Sequence, residues 1–127
     1  MDSPVAEGLS GLMQWSDPVI FDRLRDAYGR KVGDPAIAWR LARLHARVWR
    51  ALISGQMDSF EMLRGELVGA LAEQGLDLDC LAEVDSGTMT ELLEIVIARF
   101  RQSQRVAKGY HLALMSLAGR LTMARAA

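Results

Sequence analysis

At 127 residues the chain has the length of a single domain, and we expect one helical domain over residues 1–127. Half of the residues are hydrophobic, which excludes a disordered chain. The net charge is −1, so the chain lacks the basic excess typical of nucleic-acid-binding proteins. The most apolar run, 110–118, is far shorter than the roughly 20 residues that span a membrane. With no basic segment leading into an apolar one at the N-terminus, the sequence predicts a cytoplasmic protein without a signal peptide.

Proline and glycine mark the boundaries of two short helices at the start of the chain. Ser3 is a natural N-cap and precedes Pro4, so a first helix is predicted over 4–14. Pro18 suits the first position of a second helix, predicted over 18–28. Gly29 then reads as the residue that ends this helix.

The clearest boundary in the sequence is Asp34-Pro35, which predicts the start of a third helix. This helix is expected to run to Ser54, with Gly55 as its stop. Its apolar residues recur with a strong 3.6-residue period. They are Ile37, Leu41, Leu44, Val48 and Leu52. Four arginines share another face, which we interpret as solvated: Arg40, Arg43, Arg47 and Arg50.

A fourth helix is predicted to open at Asp58, with Glu61 as its capping-box partner, and to end at Gly75. The acidic segment 76–85 is less periodic, and we expect only a short helical turn there. We expect the core to include apolar residues from the third helix onward. They are Leu41, Leu44, Val48, Leu63, Leu67, Val96 and Phe100.

The last third of the chain, 88–125, is the longest stretch with helical periodicity and no proline. Thr88 and Glu91 form a second capping box, which predicts the start of this segment. Gly109 is the expected break, giving a pair of helices over 89–108 and 110–125. The whole chain therefore predicts an all-α fold, a globin-like or related bundle of five to six helices with a long C-terminal helical pair.

No residue pattern indicates catalysis, since nucleotide-binding, P-loop, zinc-protease and nucleophile-elbow motifs are all missing. His45 and His111 are the only side chains that titrate near neutrality without help, and either is a candidate haem ligand. The single Cys80 excludes an internal disulfide and is expected to be buried or half-buried. The acidic residues around Asp77 and Asp79 lack the glycine and distal glutamate of a calcium loop, so we expect no metal site.

The final helix is apolar around more of its circumference than one core-facing stripe requires. Small residues on it would let a second helix approach closely. We therefore expect a homodimer built on residues 89–125, as a four-helix arrangement with two helices from each chain. The predicted interface residues are Leu114, Met115, Ala118 and Leu121. The alternative is that the preceding helices cover this surface in a monomer.

The stretch 49–58, Trp-Arg-Ala-Leu-Ile-Ser-Gly-Gln-Met-Asp, resembles a segment of globin-coupled sensors, the bacterial sensor globins related to protoglobins. In that family a tryptophan-bearing helix ends in Ser-Gly and an Asp opens the next helix. The next helix carries a haem-ligating histidine shortly before a Gly-Leu pair, which Gly75-Leu76 matches here. Leu71 and Ala72 stand where the resemblance requires that histidine. The family's last two helices form its dimer interface, which would correspond to 88–125.

The resemblance implies a non-enzymatic, haem-free, globin-like sensor or regulatory domain that acts through a protein partner in bacterial signalling. It implies no cofactor, and neither nucleic acid nor a membrane is expected as a partner. Two alternatives remain open from the sequence. One is a small helical adaptor or export chaperone that holds a client helix in an apolar groove. The other is a haem-binding gas sensor that uses His45 or His111.

Overall fold

Five α-helices form the part of the chain described by the computed structural model, residues 4–101 and 103–126, with side chains for 5–101 and 103–122. These ranges contain no strand, so the predicted all-α class is confirmed. Ser3, the predicted first N-cap, lies outside them. The helices are α1 Pro4–Val32, α2 Pro35–Ser54, α3 Met57–Glu73, α4 Leu78–Arg99 and α5 Gln104–Ala126.

The first helix, α1, is continuous over 29 residues, where the sequence predicted two helices. Pro18 lies inside it and removes one backbone hydrogen bond. Leu12 before the proline and Ile20 and Leu24 after it are all buried in the same core. Because tertiary packing supplies most of a helix's stability, burial on both sides of Pro18 keeps the helix continuous. Gly29 consequently lies within α1 and does not end it.

The second helix, α2, has the bounds that the sequence predicted. The Asp34 side chain accepts a hydrogen bond from the backbone N–H of Ala36 at 2.9 Å, and Pro35 occupies the first turn. Gly55 ends the helix in the left-handed region, with φ of 75°. The four arginines of its polar face are all exposed, as expected.

Helix α3 starts one residue before the predicted Asp58, and the predicted capping box is wrong because Gln56 occupies the N-cap without a side-chain hydrogen bond. The prediction of a single short turn in 76–85 is also wrong. Asp77 caps α4 there, accepting a hydrogen bond from the N–H of Cys80 at 3.0 Å. Thr88 is therefore no helix start: it is buried in mid-helix, and its Oγ1 donates to the carbonyl of Val84 at 2.8 Å.

The break between α4 and α5 lies at 100–103, before the predicted position. The Phe100 ring stacks on Tyr110 across this turn, with ring centroids 4.6 Å apart. Gly109, the predicted break, is buried within α5 because α1 crosses it closely. A Cβ added to Gly8 would lie 2.2 Å from the Gly109 carbonyl oxygen, so the crossing requires glycine at residue 8.

Helix α1 is the central element, packed most extensively on α2 and then on α5, while α3 packs chiefly on α2. Of the predicted core, Leu41, Val48, Leu63, Leu67 and Val96 are buried. Leu44 and Phe100 are only half-buried at its edge. Within the described ranges, every helix is too short or too polar to cross a membrane.

Candidate functional site

Four polar side chains meet in the interior, and we call them the buried polar cluster: Tyr28 from α1, His45 and Trp49 from α2, and Asp85 from α4. The hydroxyl of Tyr28 lies 2.7 Å from Nδ1 of His45. Nε2 of His45 lies 2.7 Å from Oδ1 of Asp85, which also accepts a hydrogen bond from Nε1 of Trp49 at 3.0 Å. The cluster thus joins three helices through one continuous chain of hydrogen bonds.

The chemistry of the donors fixes the direction of this chain. An indole N–H can only donate, so Trp49 donates to Asp85. The same oxygen of Asp85 faces Nε2 of His45, which therefore carries a proton and donates it. When the imidazole is neutral, its other nitrogen, Nδ1, is an acceptor, and the Tyr28 hydroxyl donates to it. Every ring nitrogen and hydroxyl of the cluster is satisfied without water.

Burial also determines the protonation state of the Tyr28 hydroxyl. Its side chain is fully buried, and desolvation raises the pKa of its hydroxyl well above the usual range. The negative charges of Asp85 and then Cys80 raise that pKa further. Tyr28 therefore remains a neutral phenol and serves as a hydrogen-bond donor within the core.

The two candidate haem ligands lie in unlike surroundings. His45 is completely buried. Its two ring nitrogens bond Tyr28 and Asp85, so it could bind iron only by giving up one of these partners. His111 is exposed on α5.

The acidic residues of 77–85 make different contacts and do not form one site. Asp77 caps α4, Glu83 forms an ion pair with Lys31 at 3.3 Å, and Asp85 belongs to the buried polar cluster. Within residues 4–101 and 103–126, no group of three His, Cys, Asp or Glu side chains is placed to hold a metal ion. Cys80 is a buried free thiol, as expected, and burial raises its pKa.

The predicted dimer-interface residues divide between the interior and the surface. Leu114 and Leu121 are buried by the chain itself, so the argument that placed them in an interface between two chains fails. Ala118 is half-buried, and Met115 is 59% exposed. On α4, Ile97 is likewise 58% exposed. The dimer itself stays a prediction, and its apolar surface is narrower than the sequence suggested.

The spacing of residues on α2 contains one signal for the buried polar cluster, which the predicted apolar stripe of that helix did not include. Leu41, His45, Val48 and Leu52 follow the spacing i, i+4, i+7, i+11, and all four are buried. A stripe that includes His45 in place of Leu44 therefore describes the buried face of α2. Trp49 on this side is fully buried, whereas Trp39 is 44% exposed.

An open cavity of about 190 Å³ lies between the first half of α4 and the last turns of α5. We call it the α4–α5 cavity. Asp85 lines it, so the buried polar cluster reaches the surface at this place. The other lining residues are Ser86, Met89, Thr90, Ala118, Leu121 and Thr122.

Comparison with known proteins found no match. Neither the family models nor the curated proteins nor the solved structures include one that matches this chain.

Proposed function

We propose that this chain is a non-enzymatic, haem-free, globin-like regulatory domain that acts through protein–protein contacts in bacterial signalling. The observation that carries the proposal is a set of exposed apolar side chains on the α4–α5 pair. Ile97 and Met115 are each more than half exposed, and the neighbouring Leu93 is half-buried. Large apolar side chains gathered on one face are a feature of surfaces that bind other proteins.

The interior supports a domain without haem. Leu71, at the position where the resemblance requires a haem-ligating histidine, is buried in the last turns of α3 and packs in the core. A leucine side chain has no atom that can ligate iron. His45, the interior imidazole, is held by two hydrogen bonds to Tyr28 and Asp85.

The same interior argues against catalysis by the buried polar cluster. Tyr28, His45 and Asp85 have the order of a nucleophile, a base and an orienting carboxylate. A nucleophile must reach its substrate, however, and the Tyr28 side chain is fully buried. Activation also requires a lowered pKa, whereas burial raises that of Tyr28.

We propose a second copy of this chain as one partner of the α4–α5 face, which comprises Leu93, Ile97, Met115 and Ala118. Phe100 stacks on Tyr110 at the turn between the helices, and residues 85–90 of α4 line the same cavity as residues 118–122 of α5, so the two helices run antiparallel. That register brings Leu93 opposite Met115. A second copy laid on this face would form a four-helix arrangement with two helices from each chain.

Light scattering across a concentration series tests the dimer. We expect a dimeric mass for the native chain and a monomeric mass for the double variant Ile97→Glu, Met115→Glu, with unchanged helical circular dichroism. Met62→Glu is the matched control, because Met62 is an exposed methionine on α3, away from this face. A monomeric native chain at every concentration would refute the dimer and leave the face for a different partner.

The visible spectrum of protein purified from haem-sufficient cells tests the haem-free state separately. We expect no Soret band. A stoichiometric band that disappears in His45→Ala or His111→Ala would overturn the proposal in favour of a haem-binding gas sensor.

A further inference from the structure

The α4–α5 cavity contains a carboxylate oxygen that accepts no hydrogen bond from the residues that the structure describes. Oδ1 of Asp85 accepts both hydrogen bonds, from His45 and from Trp49. Oδ2 accepts none from the described residues, although the residue is only 6% exposed and lines the cavity. Oδ2 is not fully buried, so its lone pairs are open through the cavity to a hydrogen-bond donor from outside the chain.

The rest of the cavity adds acceptors and apolar walls. The hydroxyl of Thr90 donates to the carbonyl of Ser86 at 2.9 Å, so its oxygen keeps lone pairs for a ligand. Met89, Leu121 and Ala118 supply the apolar surface. Among the seven lining residues Asp85 is the one ionisable group, so no lysine or arginine of the lining competes for its charge.

We propose that the α4–α5 cavity binds a small primary ammonium ion carried on a short apolar chain. An ammonium group has three donors and no acceptor, which matches a carboxylate oxygen beside a hydroxyl oxygen. The apolar chain lies against Met89 and Leu121. An apolar cavity of about 150 Å³ holds a benzene molecule, and the cavity here is somewhat larger, at about 190 Å³. A chain of about four to six carbons therefore fits.

This inference depends on Asp85 and the cavity, and it requires neither a dimer nor a role in signalling. The ligand would hydrogen-bond the carboxylate that holds His45 and Trp49. Binding is therefore expected to change the environment of the Trp49 indole, which provides a local reporter inside the protein.

The test is a titration of ¹⁵N-labelled protein with n-butylammonium chloride at pH 7, followed through the indole N–H resonance of Trp49, which is assigned with Trp49→Phe. Sodium pentanoate and n-butanol serve as probes with the same four-carbon apolar chain and a different head group. We expect a saturable shift with the ammonium ion and at least tenfold weaker effects with the other two. Equal effects of all three probes would overturn the ammonium assignment, and no saturable shift would show that water alone occupies the cavity.

Three variants locate the site, with binding measured by saturation transfer to the methyl group of n-butylammonium. Asp85→Asn keeps an oxygen that can accept from His45 and Trp49 but removes the charge, and it should weaken binding at least tenfold. Ala118→Leu fills the cavity while leaving the Asp85 charge in place, and it should abolish binding. Met62→Glu changes an exposed residue of α3, outside the cavity lining and the proposed dimer face, and should leave binding unchanged. Retained binding in both Asp85→Asn and Ala118→Leu would place the ligand elsewhere and refute the proposal.

Discussion

The indole N–H of Trp49 donates to Oδ1 of Asp85 at 3.0 Å, across 36 residues of sequence. The same oxygen accepts from His45, one turn earlier on α2. Two donors on one helix therefore meet a single carboxylate on another, and each would be left unpaired in the core without it. Buried polar groups are costly when they lose a partner, so the relative placement of α2 and α4 depends strongly on Asp85.

Replacing Asp85 by alanine is expected to lower the free energy of unfolding by roughly 2–6 kcal/mol, since each unpaired buried donor costs about 1–3 kcal/mol. Asp85→Asn should cost less, because its amide oxygen can still accept. Urea denaturation followed by circular dichroism measures both. Asp79→Ala, an exposed acid on the same helix, is the control and should change stability by less than about 0.5 kcal/mol. Similar losses for Asp85→Ala and Asp79→Ala would contradict the role of the cluster.

Stability is expected to fall as the pH rises above about 10, the usual pKa of tyrosine. Tyr28 stays protonated in the folded state because burial raises its pKa, whereas the unfolded chain loses this proton. The unfolded state then binds fewer protons, so stability decreases with a slope approaching 1.4 kcal/mol per pH unit, roughly that expected for one proton.

The Cys80 thiol also lowers folding stability as the pH rises, because burial raises its pKa as well. This effect begins at lower pH, since a thiol ordinarily titrates below tyrosine. Urea denaturation over pH 7–11 should therefore be done in the Cys80→Ala background, with and without Tyr28→Phe. The slope above about pH 10 should be smaller in the phenylalanine variant. An unaltered slope would show that other groups cause it.

Two glycines in helices should respond to alanine with opposite signs. Gly8→Ala is expected to destabilise by roughly 1–3 kcal/mol, the usual cost of overpacking, because its Cβ would collide with the backbone of α5. Gly65→Ala in α3 meets nothing within 4 Å and should stabilise by about 0.5–1 kcal/mol through helix propensity. Thermal unfolding of both variants measures these changes in stability. A stabilising Gly8→Ala would show that α1 and α5 do not cross closely there.

Two leucines of α2 should differ in the cost of truncation. Leu41 is buried, so Leu41→Ala should cost about 2–5 kcal/mol. Leu44 is half-buried at the rim of the core, so Leu44→Ala should cost distinctly less. A larger loss at Leu44 in urea denaturation would restore the apolar stripe first inferred from the sequence.

The helices that sequence reasoning located well have strong local signals at both ends. Asp34-Pro35 and Gly55 act through capping and backbone conformation within a few residues, so the bounds of α2 were predictable. The start of α4 was missed because Asp85 and Thr88 occupy buried positions and hide the apolar period of this helix. Local sequence does not reveal that a polar residue is buried when its partner comes from another helix.

The same limit applies to the site. The importance of His45 depends on Tyr28 and Asp85, which lie 17 and 40 residues away and meet it only when three helices are packed. The opposite error occurred at Pro18, where a strong local signal for a helix boundary was overridden by burial on both sides. Leu114 and Leu121 show a third case, because apolar residues around a helix do not reveal whether their own chain covers them.

The close crossing of α1 and α5 has a consequence for the order of folding. Trp15 donates to the hydroxyl of Tyr110 across 95 residues, so this contact closes a loop of most of the chain. Closing a flexible loop of that length costs about 4 kcal/mol of chain entropy by the logarithmic length rule. The α2–α3 and α4–α5 hairpins join neighbouring segments and can form locally at much lower entropic cost. The α1–α5 crossing is therefore expected to form late, with substitutions at Gly8 changing the unfolding rate more than the folding rate.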